Sequence, residues 1–141
     1  NMINVNDILI IADKAEFKAF KVTSTVLGTK DIEMIENISY LDPHKKISSL
    51  LSDKLGNIGH NNGDNKYVKR EMLRKSLDMI LTCTKRVLST NLNTNWHISA
   101  PSSMLNSIVS NLDNNIYKSL GLMLHKDLIN TKKTKLLSHF E

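Results

Sequence analysis

Five histidines, one cysteine and several groups of cations are the side chains of this sequence with chemistry to offer. His44, His60, His97, His125 and His139 are scattered, without the close pairs from which a zinc site draws its ligands. Cys83 stands alone, so it closes no internal disulfide, and no Cys-His or Ser-His-Asp arrangement occurs at useful spacing. It falls in a long apolar-periodic stretch and reads as a small helix residue rather than a nucleophile. The residues therefore call for no metal and no cofactor. The cations are more suggestive. Lys69, Arg70, Arg74 and Lys75 form one cluster, Lys85 and Arg86 a second, and Lys126, Lys132, Lys133 and Lys135 a basic C-terminal stretch. With a net charge of +5 and a pI of about 9.3, they favour phosphate-rich partners through counterion release. The plainer reading of the same charges is a solvated helix face.

These side chains need elements to hold them. Ile8 to Ala12 is a short, continuously apolar, β-branched run, as a buried central strand requires. Asp13 to Glu16 breaks it, and Phe17 to Val22 pairs back as a hairpin, with Gly28 in the next turn. A third strand is expected over Ile32 to Tyr40, where Ile32, Met34, Ile38 and Tyr40 fall at even spacings. From Leu41 to Lys66 periodicity vanishes among Gly and Asn residues. A long mobile loop is expected there, with a helical turn around Ile47 to Leu51. A helix follows over Tyr67 to Ser89, with Val68, Met72, Leu73, Leu77, Ile80, Leu81, Val87 and Leu88 on its apolar face. Glu71 is placed to pair with Lys75 on that helix. Trp96 to Ala100 reads as a fourth strand, its Trp96 anchoring the core edge. Pro101-Ser102-Ser103 opens a helix with a Ser cap, burying Met104, Leu105, Ile108, Val109 and Leu112. A short helical piece over Asn114 to Leu120, a last strand over Gly121 to His125, and a terminal helix capped by Asn130 or Thr131 complete the order βββ-α-β-α-β-α. That order calls for a single-domain α/β fold: a mixed sheet of about five strands, the first three antiparallel, with helices packed on it.

At 141 residues, 40% hydrophobic and 23% charged, the chain is long enough to bury one genuine core. Its first apolar run is only strand-sized, and no stretch approaches the ~20 apolar residues of a membrane helix. No basic stretch precedes that run as in a secretory signal. No membrane partner is expected, and the single cysteine suits a reducing, cytoplasmic setting.

Four local patterns carry a family resemblance. They are Ile11-Ala12-Asp13 with Phe17 to Val22, Ser52-Asp53-Lys54-Leu55-Gly56, Ala100-Pro101 with Leu105, and Lys126-Asp127-Leu128. In order and spacing they resemble the bacterial host attachment protein family, required for attachment to host cells, over nearly the whole chain. That family is in turn similar to the central domain of archaeal and eukaryotic peptide-release factors and of Pelota-type ribosome-rescue proteins. The resemblance implies a ribonuclease H-like sheet. The sequence departs from the pattern at Asn57, where many relatives have a basic residue, and around Asn106, where a Gly is common.

The implied fold raises two chemistries. A nuclease of this fold gathers carboxylates around two metal ions. Asp13 would be the first and Glu71 a second, but the fourth strand supplies no acid, and a turn role for Asp13 is the simpler one. Peptide release needs a Gly-Gly-Gln tip, and the loop over 41–66 has neither Gly-Gly nor Gln; Gly59-His60-Asn61-Asn62-Gly63 is the nearest analogue. The leading expectation is a non-catalytic module contacting ribosomal or transfer RNA. Its expected contacts are Ser52, Asp53, Lys54, Gly56, His60, Asn61, Asn62, Lys69, Arg70, Arg74 and Lys75. The alternatives are an indirect role in host attachment through an unknown protein partner, and a metal-dependent nuclease centred on Asp13.

Overall fold

The computed structural model describes residues 3–40 and 65–141, with side chains from residue 69 onward in the second span. The expected loop over Leu41 to Lys66 and the turn at Ile47 to Leu51 fall outside the described residues, apart from the helix start at Asn65.

Strand β1 (Ile8–Ala12) organises everything else. All five residues are completely buried, so both faces of the strand must be covered. β2 (Glu16–Ser24) pairs with it antiparallel and β3 (Lys30–Ser39) pairs antiparallel with β2. On the other side β4 (Trp96–Ala100) and β5 (Leu120–His125) continue the sheet in parallel, giving the order β3-β2-β1-β4-β5. The fold is thus a five-stranded mixed sheet with packed helices, as the element order predicts.

The two faces carry separate cores. Ile8, Ile10, Ala12, Phe17, Trp96 and Ile98 point one way, under the long helix α1 (Asn65–Ser89) and α2 (Ser102–Ser110). Leu9, Ile11, Phe20 and Val22 point the other way and meet Leu128, Ile129, Leu136 and Phe140. The last two belong to α4 (Lys133–Leu136) and the 3-10 turn after it (Leu137–Phe140). Each fully buried Ile or Leu contributes about 1.5–3 kcal/mol. Both faces are therefore needed, and a single helix layer would leave half of β1 in water.

Several expectations change in detail. In β3, Ile32 and Ile38 do not share a face as their even spacing predicts. Ala19 pairs with Glu36 while Phe20 pairs with Met34, so Ile35 is an extra residue and the strand turns over there. Ile32 enters the core with Val22, whereas Ile38 and Tyr40 enter the α1 core. On α1 the buried residues are Lys75, Ser76, Met79, Ile80, Cys83, Thr84, Val87 and Leu88, while Met72 is exposed. Thr90 and Asn91 end that helix, both side chains donating to the Val87 carbonyl. No Ser caps α2: Pro101 occupies that position without a side-chain bond, its carbonyl accepting from Met104 and Leu105. Neither Asn130 nor Thr131 caps the last helix, which starts after Lys132. The short helix α3 (Asn114–Lys118) stops before Leu120, which opens β5.

β4 and β5 also slip register. Trp96 pairs with Leu120 but Ile98 pairs with Met123, so His97 faces two residues, Gly121 and Leu122. The His97 ring fills this bulge. Its Nδ1 accepts the Leu122 N–H at 2.9 Å, which leaves Nε2 to donate to the Asp7 carboxylate at 2.9 Å. Asp7 also accepts the Asn4 N–H at 3.0 Å, so one buried unit ties the segment before β1 to β4 and β5. Gly121 makes room, since a Cβ there would lie 2.5 Å from the His97 ring. Gly121→Ala is expected to cost about 1–3 kcal/mol through this overpacking, read from denaturant unfolding. An unchanged midpoint would contradict the assignment.

Candidate functional site

β1, β3, β4 and β5 all run in one direction, so their C-terminal ends share an edge of the sheet with the start of α1. Ligands of open α/β sheets bind at this edge, because the loops that leave it are free to carry polar groups. Here it holds the β1–β2 turn. Asp13 caps that turn, its Oδ1 accepting the Ala15 and Glu16 N–H groups, both at 2.8 Å. That is the turn role. Among the described residues no three His, Cys, Asp or Glu side chains gather to hold a metal ion.

Two further bonds fix the same turn from outside. The Tyr40 hydroxyl donates to the Glu16 carbonyl at 2.9 Å, and the Ser76 hydroxyl of α1 donates to the Lys14 carbonyl. Burial pushes the Tyr40 hydroxyl far above its ordinary range, with smaller like-signed effects from Cys83, Asp13 and Glu16, so it stays a donor. The result is a rigid turn that presents Lys14 to solvent.

Between this turn and α1 lies a cleft of about 470 Å³, within the usual size range of ligand sites. Ala15, Tyr40, Met72, Leu73 and Met79 give it apolar walls, and Lys14, Lys69 and Lys75 line it as well. Lys69 and Arg70 are exposed, as expected. Lys75 is not: only 5% of it reaches solvent. Nor does it form the expected pair with Glu71. Arg74 takes that place, bonded to Glu71 at 2.9 Å and lying 3.7 Å from Asp78. The Arg74 hydrogen bond holds the Glu71 carboxyl below the usual carboxylate range.

The second cluster is neutralised. Arg86 reaches Glu36 at 3.1 Å and Lys85 reaches Asp113 at 3.4 Å. Lys85 and Asp113 border a wider depression of about 640 Å³ at the opposite end of the sheet, lined by Asn91, Asn93 and Asn95. Lys118 lines it too, so that depression carries one acidic and two basic side chains, against the three lysines that line the cleft.

Of the expected contacts, Lys69, Arg70, Arg74 and Lys75 are brought to one end of α1. Ser52, Asp53, Lys54, Gly56, His60, Asn61 and Asn62 lie outside the described residues. Lys14 and Tyr40 were not anticipated as site residues. The signal for Lys14 was its place beside a turn Asp directly after a buried strand. Trp96 anchors the core, fully buried, its Nε1 donating to the Ile116 carbonyl at 2.8 Å. His97 is structural, and Asp127 accepts the Ile129 N–H in the turn after β5. Cys83 is buried, and burial pushes its thiol up to about 12. The chain matches no protein-family model, and no curated protein matches it in sequence.

The Cys83 thiol is expected to resist a disulfide reagent at about pH 8 in the folded protein and to react fully on unfolding. A folded-state value raised above the ordinary one near 8.5 adds stability below that value, lost as pH rises toward about 12. Labelling of the native protein as fast as of the unfolded one would refute this.

Proposed function

We propose that this chain is a non-catalytic module that lies along the backbone of ribosomal or transfer RNA with the end of the sheet that carries Lys14, Lys69 and Arg70. One observation carries the reading. Arg74, Lys85 and Arg86 sit in ion pairs, whereas Lys14, Lys69 and Arg70 are exposed with no carboxylate partner among the described residues. Positive charge left unneutralised at the rim of a cleft attracts phosphate and fixes orientation without reading base sequence. The strand order β3-β2-β1-β4-β5, with three antiparallel strands and two added in parallel, is compatible with the ribonuclease H-like fold that the proposed resemblance implies. The segment containing Ser52, Asp53, Lys54, Gly56, His60, Asn61 and Asn62 belongs to the same proposal as a second contact. Among the described residues no helix is long and apolar enough to cross a membrane. The setting proposed is the cytoplasm.

The test is a gel-shift series with transfer RNA and with ribosomal particles across a range of salt. Affinity should fall with rising salt, each neutralised phosphate adding about 0.9 to the logarithmic slope on duplex RNA-like charge densities. Replacing Lys14, Lys69 and Arg70 together by Ala should lower that slope by about 3. Replacing Lys85 and Arg86 should leave it nearly unchanged, since both are already paired. Equal losses from the two sets, or binding indifferent to salt, would overturn the proposal.

A further inference from the structure

The turn between β2 and β3 carries an apolar tip that its own backbone does not require. Gly28 supplies the one special conformation there, a φ of +82° that glycine adopts freely. The Gly28 N–H donates to the Thr25 carbonyl at 2.9 Å and the Thr25 N–H to the Thr29 carbonyl at 2.8 Å. The two threonine hydroxyls bond each other at 2.7 Å. Polar residues usually fill the positions left at such a tip. Here they are Val26, wholly in water, and Leu27, 87% exposed, the two most exposed large apolar side chains among the described residues. Two adjacent aliphatic side chains on a closed turn have the shape of a peg for an apolar hole.

The cleft beside the β1–β2 turn is such a hole. Ala15, Met72, Leu73 and Met79 wall it, Met72 is still 42% exposed, and methionine side chains adapt to the shape they meet. The charges match as well. Asp31 and Glu33 stand exposed on β3 just after the tip, whereas Lys14, Lys69 and Lys75 line the cleft. Lys30, the cation nearest the tip in sequence, is turned back to the Ile3 carbonyl. Acids beside the tip disfavour an anionic membrane surface as its partner. Peg and hole lie at opposite ends of the sheet, separated by the nine residues of β2, about 30 Å of strand. A chain therefore cannot fill its own cleft.

We infer that the occupant of the cleft is the β2–β3 tip of a second copy of this chain. Val26 and Leu27 seat between the β1–β2 turn and α1, and Asp31 and Glu33 face the lysines of the cleft. Exchanged between two copies, the contact closes a pair; repeated in one direction, it gives a ring or an open series. The inference does not rest on RNA binding, and its test is made without RNA, so either can fail alone.

The experiment is sedimentation velocity of the whole chain over a concentration series at low salt. Average mass should rise with concentration. Val26→Ser combined with Leu27→Ser should weaken association at least about tenfold, because two aliphatic side chains no longer gain burial. Met72→Lys should weaken it by a similar factor from the side of the cleft. Asp31→Asn combined with Glu33→Gln should weaken it less and flatten its salt dependence. All these positions are exposed, so the fold should survive, as circular dichroism would verify. The tip variant and Met72→Lys, each monomeric alone, should form one-to-one pairs when mixed, since the intact tip of one meets the intact cleft of the other. A mass that stays monomeric at every concentration, association blind to Met72→Lys as a tip-to-tip contact would be, or no pairing in the mixture overturns the inference.

Discussion

A central strand with no residue in water is the constraint on which this fold depends. Ile8, Ile10 and Ala12 press against α1 and α2, and Leu9 and Ile11 press against the C-terminal segment. Two covered faces demand two cores, and the edge strands must serve both. β3 does so by turning over at Ile35, and β5 by the slip opposite His97. A regular, untwisted pairing would have left Ile32 or Ile38 on the wrong side of the sheet. The bulges are therefore part of the packing solution. The buried Asp7–His97–Leu122 link fastens one of them in place.

The same constraint sets where function can sit. With both faces of the sheet occupied, the ends and outer strands of the sheet and the surfaces of the helices remain to meet a partner. The β1–β2 turn at that edge is held by Asp13 within, by Tyr40 from β3's end and by Ser76 from α1. That restraint fixes the backbone of Lys14 against α1 beside the cleft. A pre-organised backbone of this kind lowers the ordering cost of binding.

Much of the fold was legible because its signals are local. The run Ile8 to Ala12, the turn chemistry of Asp13 and the apolar period of α1 each follow from side-chain type and spacing. What escaped was non-local. The turnover at Ile35 depends on pairing with β2 and on which face the C-terminal segment covers. The helix starts after Pro101 and Lys132 lack side-chain caps, so residue preferences for Ser, Asn and Thr misplaced them. The site was half legible: Lys69 and Arg70 keep the exposure their helix positions suggested. Lys75 does not, because the face it shares with Ser76 and Met79 is drawn against the hairpin turn, a contact between residues far apart in sequence. Charge patterning alone could not tell the free cations from those that Glu71, Glu36 and Asp113 neutralise.

The sheet edge bearing Lys14, Lys69 and Arg70 is proposed as the working surface. Backbone amide chemical shifts recorded while a structured RNA is added test it most directly. Shifts concentrated on the β1–β2 turn and the first turns of α1, and receding as salt is raised, are the predicted result. Shifts centred instead on Asn91 to Asn95 and α3, at the far end of the sheet, would contradict it.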